Sequence, residues 1–112
     1  MFDKPLALSR VGGDAELLKE IATLFLDDYP KSLHDLRQAV ASGDSRQVER
    51  TAHGLKGSVS NFGARPAVDA ALRLETMGRL QKLATVDKTE VEHVLRTLEL
   101  ALAALRPELE SL

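Results

Sequence analysis

The chain has 112 residues with 15 Lys plus Arg, 17 Asp plus Glu, three His and no Cys, which fits one domain of ordinary size built around a single core. A formal net charge of −2, with three Phe, one Tyr and no Trp, argues against a nucleic-acid binder, which would carry a basic excess or a stacking platform. The missing cysteines remove disulfides, thiolate metal sites and Cys nucleophiles and suit a reducing compartment; no apolar run nears the roughly 20 residues that span a bilayer, and no signal-peptide pattern is present, so a cytoplasmic protein without membrane contact is expected.

Asp3-Lys4-Pro5 leading into Leu6, Ala7 and Leu8 predicts one or two helical turns that act as a lid. After Gly12-Gly13, Asp14 stands as a helix N-cap, and Leu18, Ile21, Phe25, Tyr29, Leu33, Leu36 and Val40 recur at steps of three and four. That spacing marks one amphipathic helix face. Pro30 falls inside the pattern and predicts a kink, or two helices that nearly abut. Ser42-Gly43-Asp44 ends the segment.

A second long helix starts at Asp44 or Ser45, where Asp44 and Gln47 have capping-box spacing. Its stripe is Val48, Ala52, Leu55, Val59 and Phe62, and Gly63 stops it. Pro66 opens a third helix, in a first turn where its missing N–H costs nothing. That helix carries Val68, Ala71, Leu72, Leu74 and Met77 and runs to about Gln81. A loop over Ala84–Asp87 follows, with Asp87 and Glu90 as a further capping box. The last helix carries Val91, Val94, Leu95, Leu98, Leu102 and Leu105, and Pro107 discourages its continuation. No alternating run long enough for a sheet is present. The expected fold is all-α, an antiparallel up-and-down four-helix bundle with a short N-terminal helical lid, spanning residues 1–112 as one domain. Because such a bundle closes its own core, a monomer is expected.

Histidine is the residue whose protonation and nucleophilicity are tunable near neutral pH. The three are His34, His53 and His93. No two share the i, i+4 spacing of a metal-binding helix face and no cysteine can join them, so no metal site is expected. His53 sits in Ala52-His53-Gly54-Leu55-Lys56-Gly57-Ser58. At about 100° per residue, His53 lies roughly 140° from the apolar stripe of its helix, Gly57 about 180°, Ser60 about 120° and Lys56 about 80°. His53 therefore faces solvent, with Lys56 and Gly57 as its i+3 and i+4 neighbours.

Each neighbour has a use if the ring receives a phosphoryl group. Lys56 brings a compact positive charge toward phosphoryl oxygens. Gly57 costs a helix interior about 1 kcal/mol relative to Ala and leaves clearance for another protein; the small Ser60 extends the same flat landing area. Singly, an exposed His with a Lys three residues on is commonplace, and a mid-helix Gly also occurs where helices pack closely. Glu75 is the remaining oddity, a carboxylate in the middle of the apolar arc of the third helix. Either it accepts a hydrogen bond from the Nδ1–H of His53, fixing the tautomer that leaves Nε2 nucleophilic, or it pairs at the bundle edge with Arg73 or Arg79, or it reaches out to solvent.

The stretch from Ala52 to Ser58, followed by Asn61-Phe62-Gly63-Ala64, resembles the signature of histidine-containing phosphotransfer (Hpt) domains. Phe2-Asp3, Gly12-Gly13-Asp14, Phe25-Leu26-Asp27-Asp28 with Pro30, and Leu74-Glu75 extend the resemblance over nearly the whole chain, and they look like domains attached to hybrid sensor histidine kinases. The resemblance implies a phosphoryl carrier in a multistep two-component relay, with no ATP site of its own. His53 would accept the group from a receiver-domain aspartate and pass it to another. Lys56 would stabilise phosphoryl charge, Glu75 would orient the ring, and Gly57 and Ser60 would meet the partner. The Mg²⁺ would belong to the receiver, and this chain would hold no cofactor.

In the dimerisation and phosphoacceptor domain of a histidine kinase the His is usually followed by an acidic residue and, four further on, a Pro, positions that Gly54 and Ser58 fill here. A chemotaxis-kinase phosphoacceptor domain, which shares the His-x-x-Lys-Gly core, is the nearer alternative. An adaptor bundle that uses the same face without phosphate chemistry is the other.

Overall fold

In the computed structural model, which describes residues 1–80 and 88–112, five helices follow one another. They are α1 (Lys4–Arg10), α2 (Ala15–Ser42), α3 (Ser45–Ser60), α4 (Arg65–Arg79) and α5 (Lys88–Glu110). Among the described residues there is no strand. The last four form the bundle, with α1 laid over one end, and the described residues together measure 45 Å by 19 Å by 19 Å. No described helix is long and apolar enough to cross a membrane.

Asp3, Asp14 and Asp44 start α1, α2 and α3, each carboxylate accepting from the N–H three residues on at 3.1 Å. These bonds satisfy donors that a first helical turn leaves open. The capping box expected at Asp44 is only half made. Gly43, at φ +71°, folds the chain back, and the Asp44 N–H closes α2 by donating to Ala39 O at 2.9 Å. The donor that Gln47 would have satisfied is already used, in a Schellman-type ending.

Pro30 neither breaks α2 nor divides it in two. The helix runs from Ala15 to Ser42, with the proline exposed and the apolar face buried on both sides of it, at Phe25, Tyr29 and Leu36. A proline removes one backbone bond and crowds the carbonyl four residues earlier; the buried face holds both halves against the bundle. Pro107 gives a second departure, because α5 continues past it to Glu110. The exposed ring leaves the last turn tied by buried Leu105 and Leu109, and Ser111 N–H donates to Pro107 O at 3.2 Å. The expected end of the third helix at Gln81, the Ala84–Asp87 loop and the Asp87 half of its capping box lie outside the described residues.

The core joins Leu18, Phe25 and Leu36 of α2 to Val48, Leu55 and Val59 of α3, to Leu74 of α4 and to Leu95, Leu98, Leu102 and Leu105 of α5. The buried stripe of α4 is rotated from the expected one: Ala67, Ala70, Ala71, Leu74, Met77 and Gly78 face inward, while Leu72 is exposed. Small residues on that side let α4 approach α3 closely. At Gly78 a methyl would lie 2.5 Å from Ser45 O and 2.6 Å from Glu49 N, both backbone atoms that cannot swing aside. Across the bundle, Arg37 of α2 grips Glu99 of α5 through two bonds of 2.7 and 3.1 Å and reaches Glu92 at 3.0 Å.

Gly78→Ala should therefore destabilise the protein by about 1–3 kcal/mol, the usual range for overpacking, although alanine is the better helix former. Urea unfolding followed by circular dichroism reads the difference directly.

Candidate functional site

Val48, Ala52, Leu55 and Val59 bury one face of α3, and the opposite face presents His53, Lys56 and Gly57. The His53 side chain is 68 % exposed, as its angle from the stripe requires. From α4, Glu75 points into the seam between the two helices and is 6 % exposed, the one charged residue in the described core. The close α3–α4 contact brings the three side chains together. Glu75 Oε2 lies 2.6 Å from His53 Nδ1, and Oε1 accepts from Lys56 Nζ at 2.6 Å.

An ionised carboxylate can only accept hydrogen bonds, so the short contact places the imidazole proton on Nδ1 and leaves a lone pair on Nε2. Of the alternatives open for Glu75, the geometry selects the ring contact, and Lys56 joins it. The expected edge partner Arg73 goes instead to Glu90 of α5 at 3.7 Å. Burial pushes the Glu75 carboxyl up, but hydrogen bonds and charge from Lys56 and His53 outweigh it and hold the group below its ordinary range.

Lys56, expected to bring its charge toward a phosphoryl group, pairs with Glu75 in the structure. At 27 % side-chain exposure it is committed to Glu75. Gly57 is exposed, and a methyl there would meet nothing within 4 Å; the same holds for Gly54. Neither glycine serves close packing within this chain, which removes the commonplace explanation for them. Ser60 is half-buried, and its hydroxyl donates to Lys56 O at 2.5 Å, so it keeps a low profile against its own helix. His34 and His93 are exposed on α2 and α5, away from this cluster. Among the described residues no three His, Asp or Glu side chains converge as metal ligands would.

One feature escapes sequence reading. Beside Gly54 a groove of about 210 Å³ runs between α2 and α3, lined by Ile21, Leu24, Phe25 and Asp28 on one side and Gly54, Ser58 and Asn61 on the other. Leu24 is 63 % exposed at its edge. It lies outside the core stripe of α2, so helical periodicity gives it no role; only the position of α3 next to it makes a surface of the two.

A profile of the Hpt domain family matches residues 20–108. The chain belongs to the Hpt domain family. Its function is histidine phosphotransfer in a phosphorelay, as a carrier type that has no kinase site of its own and interacts with receiver domains. The fold is similar to the crystal structure of histidine-containing phosphotransfer protein B from Pseudomonas aeruginosa PAO1, with a TM-score of 0.84 at 23% identity over 98% of this chain and 91% of that one. No curated protein sequence matches the chain.

A carboxylate held below its ordinary range contributes stability that is complete above the unfolded-state value, here 4.5, and is lost as pH falls through the lowered native value. The stability advantage of the wild-type Hpt domain over Glu75→Gln should accordingly be full near neutral pH and shrink in acid below about 4.5. Urea titrations of both proteins over that span check the sign.

Proposed function

We propose that His53 is the phosphoacceptor of this Hpt domain and that residues 1–112 act as one monomeric, cytoplasmic carrier module. It is a carrier of the kind attached to hybrid sensor kinases, with no ATP site, nucleic-acid surface or membrane contact. The observation that carries the reading is an exposed imidazole whose Nδ1 proton is held by a buried carboxylate. That arrangement aims the nucleophilic nitrogen at an incoming partner. The Nε2 lone pair attacks the phosphorus of a receiver's aspartyl phosphate, the N–P bond forms, and the P–O bond breaks to release the aspartate as carboxylate. The ring keeps its Nδ1 proton and gains positive charge, which Glu75 balances across 2.6 Å. The reverse steps deliver the group to a second receiver aspartate.

The Lys56 cation offsets the Glu75 anion, so the approaching dianionic phosphoryl group meets no net repulsion from the pair. Gly54, Gly57 and the turned-back Ser60 leave the face flat enough for a receiver to bring its aspartate within bonding distance. The groove beside Gly54, edged by Leu24, suits an apolar side chain of the receiver. The Mg²⁺ of the transfer step is assigned to the receiver, and no cofactor is assigned to this chain.

Mixing the protein with a phosphorylated receiver domain tests the reading. Wild type should take up acid-labile phosphate and His53→Gln none. Uptake by His53→Gln, or none by wild type with every receiver that phosphorylates its relatives, sinks the assignment. Gly57→Leu should keep its helix content and gain stability of up to about 1 kcal/mol from better helix propensity, yet transfer more slowly because the side chain stands between the two proteins. An undiminished rate in Gly57→Leu refutes the clearance role.

A further inference from the structure

The three Phe and one Tyr of this chain form one continuous row of rings. Phe2, just ahead of the lid helix α1, meets Phe62 edge-on at 6.2 Å between centroids. Phe62 lies 5.3 Å from Phe25, and Phe25 stacks on Tyr29 at 5.2 Å. All three spacings fall in the range at which aromatic pairs attract. At the far end Arg106 of α5 donates to the Tyr29 hydroxyl at 3.2 Å. Phe62, Phe25 and Tyr29 also line the groove between α2 and α3 beside Gly54. The row therefore runs from the lid to the floor of that groove.

The lid is seated on the turn that ends α3. Asp3 N–H donates to Phe62 O at 2.9 Å, and Phe2 N–H donates to Glu108 Oε1 at 3.4 Å. Gly63 makes room for this contact: at its φ of +61° a methyl would lie 2.6 Å from Asp3 Cβ and 2.9 Å from Leu6 Cδ2. Yet α1 has seven residues and buries only Ala7, so it opens at less cost than the bundle helices. Phe62 is fully buried, with a ring on either side. Close packing gives it no room to move while the Phe2 ring is in place. Without Phe2 a cavity opens on the lid side, and Phe62 relaxes into it. Tyr29 is held by Arg106, so the slack appears at Phe25, in the groove floor.

We propose that Phe2 is a positioning residue for receiver docking: with the lid seated, its ring holds Phe62 against Phe25, and the groove offers the receiver a fixed floor. This inference rests on the groove as a contact for the receiver. Phe2 does not line the groove and acts on it only through Phe62.

Three readouts separate docking from chemistry. Aromatic proton shifts of the free protein report the floor. Single-turnover uptake at rising concentrations of a phosphorylated receiver reports docking, and uptake from phosphoramidate, a donor with no surface to dock, reports His53 alone. Phe2→Ala should shift the Phe25 ring resonances and raise the half-saturating receiver concentration by about threefold to tenfold, the worth of one aromatic pair. Its maximal rate and its phosphoramidate uptake should stay within about twofold of wild type, because only binding is weakened. Phe2→Leu, which refills most of the volume, should recover most of the loss. Circular dichroism at the assay temperature confirms that each variant is folded. Unmoved Phe25 resonances in Phe2→Ala overturn the proposal, and so does equal slowing with receiver and phosphoramidate. An unchanged half-saturating concentration in Phe2→Ala, where Leu24→Ala raises it, also overturns it. If neither variant raises that concentration although Phe25 shifts, the groove is no receiver contact, and the docking role of Phe2 falls with it.

Discussion

Glu75 imposes the tightest physical requirement in this molecule. A carboxylate buried between two helices is unfavourable unless both of its oxygens are occupied, because an ionised group taken from water needs a compensating partner. Here the partners are a cation and a ring N–H, both at 2.6 Å and both from the neighbouring helix. The pairing joins α3 to α4, sets which nitrogen of His53 carries the proton, and leaves the Lys56–Glu75 pair without net charge. Stability and ring orientation thus run through one side chain. They are coupled because the hydrogen bonds that keep Glu75 charged also orient the imidazole.

Glycine is used in two opposite ways around that pairing. Gly78 is buried, and the backbone of α3 fills the space where a side chain would sit. It permits the short interhelical distance that lets Glu75 reach the ring. Gly54 and Gly57 face outward with nothing of their own chain beside them. Two glycines in a helix interior weaken it by about 1 kcal/mol each relative to alanine, and the stripe from Val48 to Val59 offsets that by burial on the other side. The helix is therefore anchored by one face and left bare on the other.

Much of the bundle was legible because helices announce themselves by periodicity and punctuation. The α3 stripe, the Asp14 and Asp44 caps, the Gly43 stop and the N-terminal lid all follow from local rules, and all are in place. The departures share a cause. Pro30 and Pro107 disturb a helix locally, yet buried side chains on both sides of each hold it together. Leu72 fits the α4 arc by spacing but lies on its exposed side, since the close contact with α3 rotates the buried stripe toward Ala70 and Gly78. In each case packing outweighed a local preference of comparable or smaller size.

By itself the sequence determined the helices, the exposure of His53 opposite its own core stripe, and the family, through a motif centred on α3 and the turn that follows it. Those features depend on residues within a few turns of one another. It left Glu75 among several partners and gave no sign that Lys56 shares it. Gly78 and the Leu24 groove went unnoticed. Each of these depends on two helices brought together by chain folding. The distance between α3 and α4, and that between α2 and α3, is set by the summed packing of the core, and a one-dimensional pattern carries no measure of it.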